Sequence, residues 1–157
     1  MSRNKESARI LTVILLCVLI FTLSDVLIRP GGVYAAGSGV SDVQLLARAI
    51  NGEARGEPYE GQVAVGAVIL NRTKDSSFPN TVAGVIYQPG AFTAVDDGQI
   101  NVPIDPQSTV VKAAQDALDG WDPTNGALYY WNPATATSSW IWSRKIVYKI
   151  GKHYFGI

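Results

Sequence analysis

Apolar residues recur at helical intervals in the stretch SDVQLLARAINGEAR, where Val43, Leu46, Ala47, Ile50 and Ala54 fall on one stripe. Ser41 opens the stretch and Gln44 follows three places later, the spacing of a capping box, so a helix is predicted from Ser41. Gly52 and Gly56 are expected to loosen its last turn, and Pro58 suits the first turn of a new helix. That second helix, YEGQVAVGAVILNRT, is apolar nearly all round and is predicted to be the buried central one. Gly66 within it is expected to let a neighbouring helix come close, since a glycine there otherwise costs roughly 1 kcal/mol relative to alanine. SSFPNTVAGVIYQPGAF reads as a turn, a short helix with Val82, Val85 and Ile86 inward, and a Pro-Gly turn. PQSTVVKAAQDALDG has Val110, Val111, Ala114, Ala117 and Leu118 on one helical face and Gly120 at its end. The pattern then changes: WDPTNG is a loop, ALYYWN is strand-like, and KIVYKIGKHYF suits a strand or hairpin. The fold class is therefore α+β and mostly helical, a helical body followed by a smaller aromatic β-containing C-terminal part.

The start of the chain is different in kind. Arg3, Lys5 and Arg9 precede the apolar run Ile10 to Leu23, and Val33-Tyr34-Ala35 has the small-residue spacing of a signal-peptidase site. Residues 1–35 are expected to be an export signal, because the apolar run falls short of the roughly 20 residues a spanning helix needs. Only Asp25 carries charge between that run and Ile28, which keeps open an uncleaved anchor at the outer face of the inner membrane. In either case residues 36–157 are expected to be one exported domain, long enough to bury a core.

Charge and rare residues narrow the chemistry. The formal net charge is zero, which gives no reason to expect nucleic acid. Six aspartates crowd Thr93 to Asp122 against Lys112 alone, and Arg144, Lys145, Lys149 and Lys152 make the end basic. The one cysteine, Cys17, lies in the N-terminal segment, and His153 is the only histidine. Thiol peptidases, serine triads with a histidine base and zinc peptidases with two histidine ligands are thus disfavoured. An exported enzyme built from these residues works with carboxylates.

Three of the four glutamates, Glu53, Glu57 and Glu60, fall within the stretch NGEARGEPYEGQ. At 100° per residue Glu53 lies beside Leu46, at the edge of the apolar stripe. Partial burial there favours the protonated form of a carboxyl group, as a general acid requires, while pairing with Arg48 or Arg55 is the plainer alternative. Glu57 and Glu60 are expected to serve the next helix's N-terminus. The aromatic residues form a second group: Trp121, Tyr129, Tyr130, Trp131, Trp140 and Trp142, interleaved with Asn132, Thr135, Thr137, Ser138 and Ser139. Flat rings beside amides and hydroxyls suit sugars, and an aromatic mini-core is the alternative. Asp96, Asp97 and Asp105 lack the ligand alternation of a calcium loop and are expected to form turns, so no metal or cofactor is expected.

The segment ARAINGEARGEPYEGQVAVGAVILNRTKDSSFPNTVAGVIYQPGAFTAVDDGQI resembles the catalytic domain of the spore cortex-lytic enzymes, the SleB and CwlJ cell-wall hydrolases. GWDPTNGALYYWNPATATSSWIWSR and KIGKHYF match its second half, so the resemblance runs from about Ser41 to Phe155. It implies a lysozyme-like, lytic-transglycosylase-like fold and action on the glycan strands of spore cortex peptidoglycan during germination. The bond implied is the one between N-acetylmuramic acid and N-acetylglucosamine, cut to leave a 1,6-anhydro end. The family's catalytic glutamate, in its GEARGE motif, falls on Glu53. Tyr130, Trp131, Asn132, Thr137, Trp140 and Trp142 are the residues expected to hold the sugar.

A transglycosylase manages with one carboxyl, whereas a hydrolase needs a second across the scissile bond, and only Asp96 or Asp97 is placed to supply one through folding. The SleB arrangement generally has a peptidoglycan-binding domain ahead of the catalytic one, and here only a few residues separate the export signal from Ser41. Cortex specificity and general wall turnover both stay open, as does a non-catalytic wall-binding module. An inhibitory or stabilising partner protein and engagement of the membrane by the N-terminal segment are compatible with either.

Overall fold

The computed structural model describes residues 40–157; the expected export signal or anchor lies outside the described residues. Helix α1 spans Asp42–Ala54, and Ser41 caps it, its side chain accepting from the Gln44 N–H at 3.4 Å. Leu46, Ala47, Ile50 and Ala54 of the expected stripe are buried, joined by Leu45 and Ala49, with Val43 packed at the core's margin. Pro58 stands at the cap of α2, Tyr59–Lys74, one residue before the first turn where it was expected. This helix runs through the core with Val63, Val65, Val68 and Ile69 buried. A Cβ at Gly66 would lie 3.1 Å from both Ala117 Cβ and Ile50 Cδ1, so the missing side chain is what allows the helices on either side to approach.

Thr81 caps the short α3, Val82–Ile86, by accepting from Gly84 N at 3.0 Å, and Val82, Val85 and Ile86 point inward as expected. The stretch predicted to be only turns contains a further short helix, α4, Thr93–Asp96, and a 3₁₀ turn, Gln99–Asn101. Asp97 and Asp105 do form turns, accepting from the N–H groups two residues on, Gln99 at 3.0 Å and Gln107 at 2.8 Å. Helix α5, Thr109–Leu118, packs against α1 and α2 through Val110, Ala114 and Ala117. Ala113 is buried too, while Val111 and Leu118, expected inward, are only partly covered. Gly120 follows with a φ of 102°, a left-handed conformation that ends the helix.

The loop after α5 is organised by Asp122, which accepts from Asn71 Nδ2, Thr124 N, Thr124 Oγ1 and Gly126 N at 2.7–2.8 Å. Burial pushes the Asp122 pKa up, but these hydrogen bonds, led by Asn71, outweigh it and leave the carboxyl below its ordinary value. Strands β1 (Tyr129–Trp131), β2 (Ile146–Ile150) and β3 (His153–Gly156) form an antiparallel sheet in the order β1-β3-β2, with a 3₁₀ turn at Ser139–Ser143 between β1 and β2. Tyr130 faces Phe155 across the first pair, and β2 and β3 make the hairpin expected from KIVYKIGKHYF. Residues 40–157 close one core among themselves, with Phe155 and Ile150 of the sheet joined to the helical cluster.

Candidate active site

Glu53 sits in the last turn of α1, half-buried, and the residue before it determines what it meets. Gly52 is helical and does not loosen the chain; a Cβ there would collide with Ala94 Cβ. The absent side chain lets α4 press against α1, and the Ala94 N–H then donates to Glu53 Oε1 at 2.9 Å. From β1, the Tyr130 hydroxyl donates to Glu53 Oε2 at 3.2 Å. Both carboxylate oxygens are thus held, each from an element far away in sequence. Burial, then the neighbouring Glu53 charge, raises the Tyr130 pKa well above its ordinary value, so the phenol keeps its proton and acts as a donor.

A cleft of about 320 Å³ opens at this carboxylate, lined by Glu53, Arg72, Thr93, Asp96, Tyr130 and His153, with Gly90, Ala91, Trp131, Asn132 and Thr135 completing the wall. Of the residues predicted to hold sugar, Tyr130, Trp131 and Asn132 line it. Thr137, Trp140 and Trp142 do not; they are exposed outside it. The two tryptophans pack edge-on against other aromatic residues, Trp140 on Tyr129 with ring centres 5.6 Å apart and Trp142 on the wall residue Trp131 at 6.3 Å. Trp131 is itself buried, and its Nε1 has no partner among the described residues. The Asn132 side-chain oxygen accepts from Ala134 N at 2.9 Å and so shapes the loop that carries Thr135.

Glu57 differs from its sequence reading. It does precede α2, but its side chain is 7% exposed and turned to the β2–β3 hairpin. Its Oε2 accepts from Lys152 N at 2.9 Å, and Oε1 lies 4.0 Å from His153 Nδ1. At Gly151 the backbone is left-handed, with φ 54°, and a Cβ would collide with Glu57 Oε2, so the turn closes on the carboxylate only with glycine. The clamp fixes His153 at the cleft wall, edge-on to Tyr130 with ring centres 5.4 Å apart. Burial lowers the His153 pKa, and the Glu57 and Glu53 charges oppose this only in part. Glu60, by contrast, is exposed in the first turn of α2, where its charge suits the helix dipole.

Arg72, His153 and the Ala94 N–H were not identified in the sequence as site groups. Arg72 left only a weak signal, one of two cations in the last turn of α2, where Lys74 is exposed and Arg72 is buried. The four residues that converge on Glu53 and Glu57 have no periodic relation to them.

A helical body with a three-stranded sheet, and a doubly held glutamate at a cleft between them, defines a lysozyme-like domain. Residues 56–156 match the family model described as Cell Wall Hydrolase, and the chain belongs to that family. It is 62% identical over 119 residues to the spore cortex-lytic enzyme of Bacillus cereus, covering 76% of this chain and 45% of that protein. The spore cortex-lytic enzyme of Bacillus subtilis is 60% identical over the same length, covering 76% of this chain and 38% of its own. The chain thus spans less than half the length of these relatives. The solved catalytic domain of the germination-specific lytic transglycosylase SleB from Bacillus anthracis superposes with a TM-score of 0.71 at 59% identity, covering 77% of this chain and 99% of that one.

Proposed function

We propose that residues 36–157 form a peptidoglycan lytic transglycosylase with Glu53 as its acid and base, and that residues 1–35 export or anchor it. The substrate is the glycan of the cell wall or spore cortex, as the names of the relatives suggest, and the enzyme works outside the cytoplasmic membrane.

The observation that carries this reading is the double hold on Glu53. Each of its oxygens takes one hydrogen bond, from Ala94 N or Tyr130 Oη, and retains a lone pair for the reacting proton. Protonated Glu53 donates to the glycosidic oxygen between the muramoyl and glucosaminyl rings, and the C1–O bond breaks. The muramoyl 6-hydroxyl attacks C1, Glu53 takes its proton, and a 1,6-anhydro end remains. One carboxyl serves both steps, and the acid is restored. Asn132 and Thr135 are the wall's polar groups for sugar hydroxyls. Thr137, Trp140 and Trp142 serve a longer strand that extends beyond the cleft.

Asp96 favours a second reading, because it gives the cleft another carboxylate that can activate water. Products decide between the two. Residues 36–157 and their Glu53→Gln variant are incubated with cortex and vegetative sacculi, and the muropeptides are read by mass spectrometry. Anhydro-muramic ends from the parent and none from the variant are expected. Reducing ends lost on Asp96→Asn would establish hydrolysis, and binding without products would leave a wall-binding module.

A further inference from the structure

Arg72 is a buried cation with no counter-charge among the described residues. It is 9% exposed, in the last turn of α2. Its Nε donates to the Leu128 carbonyl at 2.7 Å. Its guanidinium carbon lies 5.1, 5.5 and 5.7 Å from the ring centres of Phe78, Phe92 and Tyr129. Among the described residues no carboxylate comes within 4.0 Å of it, neither Glu53 nor Asp96, although both share its cleft. The terminal nitrogens are not among the buried polar atoms that lack partners, so they open to the cleft. Burial lowers the Arg72 pKa from its ordinary value, yet a guanidinium remains charged in any such setting.

Taking an ion of this size out of water costs several kcal/mol. Cation–π contact with three rings offsets part of that, at about 0.5–2 kcal/mol each. The rest is unbalanced in the free protein, and the donors left over form a planar fork suited to a carboxylate.

We infer that Arg72 receives a carboxylate of the bound wall polymer and thereby selects the muramoyl unit presented to Glu53. The inference rests on the proposed substrate but not on the reaction. Two sources carry this group: the lactyl arm of a muramoyl residue without a peptide, and the stem peptide of one that bears it.

The test is a binding measurement, made with Glu53→Gln in residues 36–157, which contain the self-contained core of residues 40–157. Three vegetative wall preparations are compared by sedimentation: stems intact, stems removed by an amidase to free the lactyl carboxylates, and all carboxylates converted to methylamides. Binding about tenfold weaker to the methylamide wall is expected, a loss typical of one charge-assisted pair. Whichever of the other two walls binds more tightly identifies the source. Adding Arg72→Gln abolishes the preference, and Arg72→Lys, which keeps the charge and loses the fork, retains part of it. Lys149→Gln removes one charge from the exposed strand and leaves the preference in place. Equal binding to all three walls, a preference that survives Arg72→Gln in folded protein, or one lost equally in Lys149→Gln would overturn the inference. Should Arg72→Gln not fold, a preference unchanged in Arg72→Lys overturns it as well. Turnover of the same walls by protein with Glu53 intact tests the reaction separately.

Discussion

Replacing Gly52 with alanine adds one carbon atom beside Glu53 and tests how the carboxylate is held. The new Cβ meets Ala94 Cβ head-on and lies 3.4 Å from Ala94 Cα, so α4 must retreat. Restoring ordinary carbon–carbon contact at about 3.5–4.0 Å moves Ala94 by roughly 1 Å. The Ala94 N–H, now 2.9 Å from Glu53 Oε1, then lies roughly 4 Å away and no longer bonds to it. For stability the effects oppose each other: alanine is better than glycine inside a helix by about 0.5–1 kcal/mol, and overpacking costs about 1–3 kcal/mol. The fold survives with a small net loss. The rate is not protected in this way, because a hydrogen bond to a charged acceptor contributes about 1.5–3 kcal/mol and nothing replaces it in the geometry that chemistry needs. A fall in kcat/KM of about 10- to 150-fold is expected. Initial rates of muropeptide release, paired with thermal melts, measure both quantities. Gly56→Ala is the control, since nothing lies within 4 Å of its added carbon. A Gly52→Ala enzyme with unchanged rate would refute the claim that α4 positions Glu53.

Further predictions concern the other supports. Tyr130→Phe removes the hydroxyl on Glu53 Oε2; at 3.2 Å the bond is long, so kcat should fall only about tenfold, and a loss equal to that of Glu53→Gln would mean the phenol moves the proton itself. Asp122→Ala frees Asn71 and the loop before β1 and should cost about 2–3 kcal/mol in a denaturant titration. Because folding lowers the Asp122 pKa, its contribution is complete above the ordinary value of 3.8 and is lost as pH falls through the lower folded value; Asp122→Asn should flatten that part of the stability profile. His153 has the opposite chemistry and the same direction: the folded state binds its proton less readily, so stability falls as pH drops below the ordinary 6.5, and His153→Gln should remove this slope.

What the sequence revealed depended on how far apart the partners lie. Helices α1, α2, α3 and α5 follow from apolar spacing and local caps, and Ser41 with Gln44 needs only three residues of context. The placement of Glu53 at the stripe's edge follows from the same arithmetic. Gly52 was misread as a loosening residue because its partner, Ala94, lies on another helix, and a glycine required by close approach looks the same in sequence as one that frays a turn. Glu57 was assigned to a helix N-terminus, its local neighbour, while its acceptor atoms serve a turn 95 residues away. Aromatic spacing put Trp131 at the cleft but also suggested Trp140 and Trp142, since alternation along a short strand does not say where a following loop turns.

The central strand of the sheet, β3, comes last among the described strands, after both of the edges it joins. Neither β1 nor β2 has its strand partner until His153–Gly156 has been synthesised. The sheet's own pairings are comparatively close in sequence, Tyr129 with Gly156 and Ile150 with His153, whereas its attachment to the helical body closes much longer loops. The Tyr130 bond spans 77 residues and the Glu57 clamp 95, so neither the second hold on Glu53 nor the cleft wall at His153 exists in a partly made chain. The cleft therefore acquires its full set of walls only after residues 130–156 have been added to the chain and folded back. The order of its strands thus sets the order in which the cleft is assembled.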